Sequence, residues 1–287
     1  LSIRRQRQMC IRDSLCVVAA MLDSNVKRRK EIEALTAIPV YGELPRKPRK
    51  LKNQEIVVNL EEPSELSECF PLLAERMVAL SDENAGKPLS VLITSTCSGE
   101  GKTYLSVNLA LSLAVAGKKV LLMDMDLRKG SLSSLLGGAG KPGIGDLEQA
   151  GEGGWRSLVE QSPVSAHLDY LFAGTLPDHP SRLLLHDRIR KLMEELKEQY
   201  DFIFMDCVPY SSLADAHIVA RLADVTLYVM RAGCVKKRDL AGLQKIWKNG
   251  ELKRMGIVLC DVEPHGRSSR GYAVYRSLDT SSPCAEK

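Results

Sequence analysis

The sequence predicts an α/β fold, a mainly parallel central sheet flanked by helices, and three observations carry that prediction. From Leu89 onward, short apolar runs alternate with amphipathic segments, the pattern of strand–helix–strand units. The stretch Gly99-Glu100-Gly101-Lys102-Thr103 falls between one such run and the first long amphipathic segment. Two further apolar runs, VLLMDMD and FIFMD, end in aspartate. That places carboxylates at the C-terminal edge of the sheet, where open α/β sheets bind their ligands.

Taken in order along the chain, residues 1–14 are set aside first. Residues 4–14, RRQRQMCIRDS, match one translated frame of the transposon-end adapter used in sequencing libraries. The stretch 1–14 is therefore read as adapter read-through and excluded, as a fusion scar is, and the chain is expected to be a fragment. The apolar run Leu15–Leu22 is far short of the roughly 20 residues that span a bilayer. With Lys27, Arg28, Arg29 and Lys30 behind it, it reads as the cytoplasmic end of a truncated membrane helix. Residues 15–62 are then that helix end plus a polar, basic linker, punctuated by Pro39, Pro45 and Pro48 and holding one short apolar piece, AIPVYGEL. Residues 1–50 carry twelve Lys and Arg against five Asp and Glu, which suits an anionic or membrane-proximal partner and equally a solvated linker.

Residues 63–262 read as the folded domain. Ser64–Leu80 is expected to be helical. Strands are expected at Leu89–Thr94, Lys119–Met123, Leu168–Phe172, Phe202–Met205, Val225–Met230 and Met255–Leu259, with helices at Lys102–Ala116, Pro180–Gln199, Leu213–Leu222 and Arg238–Lys248. Gly117 stands where a helix C-cap needs it. Residues 137–154 hold eight glycines and read as loop. Residues 263–287 are a polar tail with Tyr272 and Tyr275.

Composition sets the class. With 44% hydrophobic and 26% charged residues and a net charge of +4, the 287-residue chain is a globular protein with no expected nucleic-acid partner. Its eight cysteines form no CxxC pair and several lie in apolar runs. A metal cluster or disulfide framework is therefore not expected, and a reducing compartment is.

The chemistry sits in three places. Ser98, Gly99, Glu100, Gly101, Lys102, Thr103 and Tyr104 make a phosphate-binding loop opening a helix, the P-loop of NTPases. In such a loop backbone N–H groups hold phosphate, Lys102 reaches the β/γ-phosphates and the Thr103 hydroxyl ligates Mg²⁺. The first glycine usual in this loop is Thr96 here. Asp124 and Asp126 emerge from the strand end, and alternation aims them differently, so one can orient a hydroxyl while the other serves a metal. Asp206 after FIFM has the form of a second metal-binding carboxylate. Arg128 and Lys129 reach phosphate, a neighbouring subunit's tail or solvent. Arg231 either approaches the nucleotide or caps its strand. His179, His217 and Trp155 read as structural.

The order GEGKT, VLLMDMDLRK, AGTLPDHPSRLLL, YDFIFMDCVPY and ADAHIVARLADVTLYVMRAG resembles the cytoplasmic kinase domain of bacterial tyrosine autokinases of exopolysaccharide co-polymerase systems, over about residues 23–266. EIEALTAIPVYGELP looks like that family's linker after its second membrane helix. The resemblance implies Mg·ATP on Lys102 and Thr103, Asp124 as base or hydroxyl-orienting group, and Asp126 and Asp206 completing the Mg²⁺ site. It further implies Tyr272 and Tyr275 as acceptors, a ring-like homo-oligomer, a membrane and periplasmic co-polymerase partner, and a place at the cytoplasmic face of the bacterial inner membrane.

Three departures stand out. The tail is poor in tyrosine. Pro71 and Ala74 follow Glu68 where the family's assembly helix has arginines, and Pro71 interrupts that helix unless it lies in its first turn. Val208 replaces the first proline after FIFMDC. Two rival readings are a partitioning or cell-division-site ATPase, which usually carries a lysine where this chain has Cys97, and a nucleotide-gated scaffold for polysaccharide chain length.

Overall fold

The computed structural model describes residues 24–48, 51, 54–58, 65–151, 153–211 and 213–263. The adapter-like stretch, Leu15–Leu22 and the tail tyrosines Tyr272 and Tyr275 lie outside them. Eight strands form one sheet: β1 Val40–Pro45, β2 Leu89–Ser95, β3 Val120–Asp124, β4 Val159–Gln161, β5 Leu168–Leu171, β6 Phe202–Asp206, β7 Val225–Arg231 and β8 Met255–Val262. Their order is β1-β8-β7-β2-β6-β3-β5-β4, and every pairing is parallel except that of β4 with β5. The helices are α1 Arg29–Leu35, α2 Glu65–Asp82, α3 Lys102–Val115, α4 Ser131–Leu135, α5 Leu147–Ala150, α6 Pro180–Leu185, α7 Asp187–Lys197, α8 Ala214–Ala220 and α9 Leu240–Lys248.

The central strands β2, β3 and β6 are buried along their whole length and largely apolar because both faces of the sheet are covered. Alternation sends Leu121, Met123, Ile203 and Met205 into one core, with Ile189 and Leu196 of α7 and Val219 of α8. Val120, Leu122, Phe202 and Phe204 go into the other, with Phe70 and Met77 of α2 and Leu105 and Leu109 of α3. The same period of two sends Asp124 and Asp206, two residues past Leu122 and Phe204, toward the α3 face.

Four stretches differ from the sequence reading. Residues 29–45, read as linker, fold as α1 and β1. The latter pairs with β8 some two hundred residues later, Val40 opposite Ile257. The run is short and flanked by prolines, and its partner is distant, so local pattern does not reveal it. The three-residue β4 is too short for alternation to show. The single helix expected over Pro180–Gln199 is two, parted at His186, whose extended backbone caps α7 while its Nδ1 accepts the Arg188 amide at 3.2 Å. Finally, α2 runs unbroken through Pro71 although that residue lies beyond the first described turn. Pro71 is exposed, on the solvent side of the helix.

The glycine-rich stretch 137–154 is drawn onto the end of β5. The amides of Ile144 and Gly145 donate to the carbonyls of Phe172 and Ala173 at 2.9 and 2.8 Å. A Cβ on Gly145 would stand 1.8 Å from the Thr175 carbonyl oxygen, and one on Gly143 would stand 2.1 Å from that of Phe172. These are backbone atoms that no side-chain rotation can move away. Gly145→Ala is therefore expected to cost about 1–3 kcal/mol of stability through overpacking, measured by denaturant unfolding. Gly137→Ala, at a position with φ of +72° and open space around it, serves as a comparison in which only backbone strain enters.

Candidate functional site

The P-loop follows β2 and ends at α3, with Gly99 and Gly101 at φ of +84° and +102°, the left-handed region that glycine occupies without strain. Thr96 has no positive φ, so the loop tolerates it where a glycine is usual. Its hydroxyl lies 3.2 Å from that of Tyr228. The Lys102 ammonium donates to the Ser95 hydroxyl at 3.1 Å. Thr103 donates to Asp206 Oδ2 at 2.7 Å, and Ser106, one turn further along α3, donates to Asp206 Oδ1 at 3.1 Å.

The two acidic strands meet in register. Asp124 at the end of β3 is directly opposite Asp206 at the end of β6. Asp124 has no exposed surface: Ser133 donates to its Oδ2 through both backbone amide (2.8 Å) and hydroxyl (2.7 Å), and the Asp126 amide donates to Oδ1 at 3.1 Å. Burial raises its carboxyl to about 6, and the Ser133 bonds only partly offset that. Burial likewise lifts Asp206 to about 7; the Thr103 bond pulls the other way and the Asp124 charge adds to the rise. Asp126 is half-buried and caps its own turn, accepting the amides of Arg128 (3.3 Å) and Lys129 (3.1 Å) and the Ser131 hydroxyl (3.1 Å).

A cavity of about 840 Å³ gathers these groups. Its wall includes Ser98 to Tyr104, Asp126, Ser131, Asp206 and Arg231, so every nucleotide- and metal-binding residue named from the sequence stands on it. Asp124 does not. It has no exposed surface, and its two oxygens are taken by the Ser133 amide and hydroxyl and by the Asp126 amide. Glu100 lines the cavity with its carboxylate turned inward, 3% exposed and accepting the Cys97 amide at 2.7 Å. It braces the loop rather than facing phosphate, and burial raises its proton affinity. Tyr104 packs edge-on against Phe70 and under the Lys47 ammonium. Arg231 is paired with Asp261 at 3.0 Å.

The donor set fits Mg²⁺. Thr103, Asp126 and Asp206 offer hard oxygens, and the buried Asp124–Asp206 pair lacks a compensating cation close to both. Among the described residues no group of three or more His, Cys, Asp or Glu side chains holds a metal unaided.

Sequence reasoning missed several residues here. Ser133 and Ser106, which hold the carboxylates, sit among ordinary helix residues and give no signal. Arg46 joins Asp261 at 2.9 Å from the stretch read as linker. Arg128 goes neither to phosphate nor to solvent alone: it pairs with the buried Asp215 at 2.6 Å. His217 packs against Tyr210 with the rings tilted at 38°, and Trp155 donates to Glu195.

Residues 91–283 match the family described as CobQ/CobB/MinD/ParA nucleotide binding domain. A putative tyrosine-protein kinase EpsB of Ralstonia nicotianae is 34% identical over 203 residues, 68% of this chain and 27% of that protein. Tyrosine-protein kinase YwqD of Bacillus subtilis is 31% identical over 231 residues, 79% of this chain and 94% of YwqD. The solved BceF tyrosine kinase domain shares 27% identity at a TM-score of 0.71, over 83% of this chain and 99% of that one. The chain spans about a quarter of the length of the EpsB relatives it matches.

The buried pair makes a pH prediction. A carboxyl whose proton affinity is raised by folding keeps protons that the unfolded chain releases, so its destabilising effect grows as pH rises through the interval from about 4 to about 7. Asp206→Asn is expected to gain thermal stability relative to wild type between about pH 5 and pH 8. A difference that stays constant across that range would contradict the raised affinity.

Proposed function

Because this chain belongs to the CobQ/CobB/MinD/ParA nucleotide-binding domain family, and within it to the bacterial tyrosine-protein kinases, we propose that it transfers the γ-phosphoryl group of ATP to protein tyrosine hydroxyls. The observation that carries the reading is the pairing of the P-loop with two acidic strand ends: Asp124 and Asp206 are in register, Thr103 is bonded to the latter, and Asp126 stands on the cavity wall.

In this reading the loop amides and Lys102 take the phosphates, Lys102 leaving Ser95 to do so. Thr103, Asp126 and Asp206 hold Mg²⁺, which when bound offsets charge on the phosphates and on the buried carboxylate pair. The acceptor oxygen bonds to the γ-phosphorus, the bond from that phosphorus to the β,γ-bridging oxygen breaks, and ADP leaves. The tyrosine proton goes to Asp124, whose affinity near 6 makes it a better base than an ordinary carboxylate. Rate comes chiefly from positioning and charge neutralisation. Tyr272 and Tyr275 are the proposed acceptors. The wider proposal is autophosphorylation within a homo-oligomer at the cytoplasmic face of a bacterial inner membrane. There the chain would work with a membrane and periplasmic co-polymerase segment and the polysaccharide machinery, controlling capsule or exopolysaccharide polymerisation and export. Among the described residues no helix is long and apolar enough to cross a membrane. On the α2 face that would assemble the oligomer, exposed Glu68, Pro71 and Glu75 line a groove of about 420 Å³ in which Ala74 is buried. Pro71 and Ala74 thus supply no cation there for an ion pair.

Incubation with Mg·ATP followed by mass-spectrometric mapping is expected to give phosphotyrosine at Tyr272 and Tyr275. Lys102→Met should abolish it. Asp124→Asn should lower transfer by about 10²-fold or more, in the range of a lost general base, with ATP affinity retained. ATP hydrolysis without phosphotyrosine would leave an ATPase instead.

A further inference from the structure

Two motifs of the sequence, AGTLPDHPSRLLL and ADAHIVA, take no part in the site described so far, yet they converge behind it. Asp215, near the start of α8, is 1% exposed. Its Oδ2 accepts Arg128 Nε at 2.6 Å, and its Oδ1 accepts the hydroxyl of Ser181 on α6 in a short hydrogen bond. Both oxygens of a buried carboxylate are thus used, one by a cation and one by a hydroxyl. Arg128 is two residues past Asp126, and its own backbone amide donates to Asp126.

We propose that Asp215 is a positioning residue for the transfer reaction: with Ser181 it clamps Arg128, and so fixes the turn that presents Asp126 to the nucleotide cavity. This rests on the kinase reading above.

The mechanical chain is short. The amides of Arg128 and Lys129 bond to the Asp126 carboxylate, and the Gly130 amide donates to the Asp126 carbonyl at 2.8 Å. The turn closes at Gly130, with φ of +59°. Its start is tied to the sheet by the Met125 amide on the Asp206 carbonyl, and its far end by Ser133 on Asp124. The middle of the turn, at Arg128, has its own tie to a separate element, α8. Asp215 suits the task because a buried charge with an ideal partner has a narrow choice of geometry. Ser181 adds α6, whose start is set by the buried Pro180 at its first position. The glycine, lysine and leucine around Arg128 have no comparable polar anchor. Arg128 is thus held for direction while Asp126, half-buried on the wall, keeps its open side toward the cavity.

The test is a double-mutant cycle on turnover. Asp215→Asn and Arg128→Ala are each expected to lower kcat about tenfold, a loss of transition-state positioning, with the KM for ATP changed less than about twofold. If one acts through the other, the double variant is no slower than the slower single. Losses that multiply would overturn the proposal, as would a fall in ATP affinity equal to the fall in kcat. Phosphotyrosine and ADP release are both recorded. If wild type releases ADP but forms no phosphotyrosine, the kinase reading fails while the cycle on ADP release still decides the coupling.

Hydrogen exchange supplies a readout independent of turnover. In Asp215→Asn the amides of residues 128–130 should exchange faster, with those of residues 103–109 in α3 unchanged. Protection unchanged at the turn, or lost across both segments, overturns the proposal. Ser181→Ala, which leaves the ion pair in place, gives the same signature in weaker form and covers the case in which Asp215→Asn fails to fold.

Discussion

Everything at this site depends on one register: Asp124 lies opposite Asp206 across neighbouring parallel strands. Two carboxylates at the same level of a buried sheet, on the same face, repel each other and lose hydration together. The fold meets part of that cost with hydroxyls and amides: Ser133 twice and the Asp126 amide on one side, Thr103 and Ser106 on the other. The rest shows as raised proton affinity in both groups. In the proposed function a cation would offset that cost, arriving with phosphate at the P-loop beside the pair.

The register also explains why the site could be read without a structure. FIFMD and VLLMD are each five residues of strand closed by aspartate, and parallel pairing aligns their ends. Strand, glycine loop and helix in that order place Thr103 within a hydrogen bond of Asp206. The six strands expected from Leu89 onward, and the helix opened by Lys102, are legible because buried parallel strands are long apolar runs bounded by breakers. Where the apolar signal is short, legibility fails. β1 has six residues and a partner two hundred positions away, β4 has three, and the α6–α7 break turns on one extended residue, His186. Side-chain partners chosen by tertiary packing are equally silent in the sequence. Ser133, Ser181 and Asp215 are polar residues among apolar ones, and nothing local says which group each will meet.

The boundary placed at residue 63 fails for a physical reason that bears on the nucleotide cavity. Leu44, Pro45, Arg46 and Lys47 at the end of β1, together with Glu55, form the wall facing the P-loop. Arg46 and Arg231 share Asp261, a residue held at φ of +62°, so the ends of β1, β7 and β8 are tied at the rim. A basic, proline-punctuated stretch looks like a tether by composition. Here Arg46 pairs with Asp261 and Glu263, Lys47 pairs with Glu55, and the apolar residues Ile38, Val40 and Leu44 are buried.

Asn108 carries that connection into α3. It is one of three polar residues, with Ser106 and Ser112, in the largely apolar run LSVNLALSLAV, and it is fully buried. Its side-chain oxygen accepts the amides of Val57 and Val58, at 2.7 and 3.3 Å, and its nitrogen donates to the carbonyls of Glu55 and Tyr104. A segment with no strand partner thus has its backbone groups satisfied by a side chain of the helix that begins at Lys102. Displacing residues 55–58 would strand a buried amide one turn below Tyr104. A displacement of residues 55–58 is therefore felt at the P-loop helix, and that segment belongs to the cavity mechanically as well as by position.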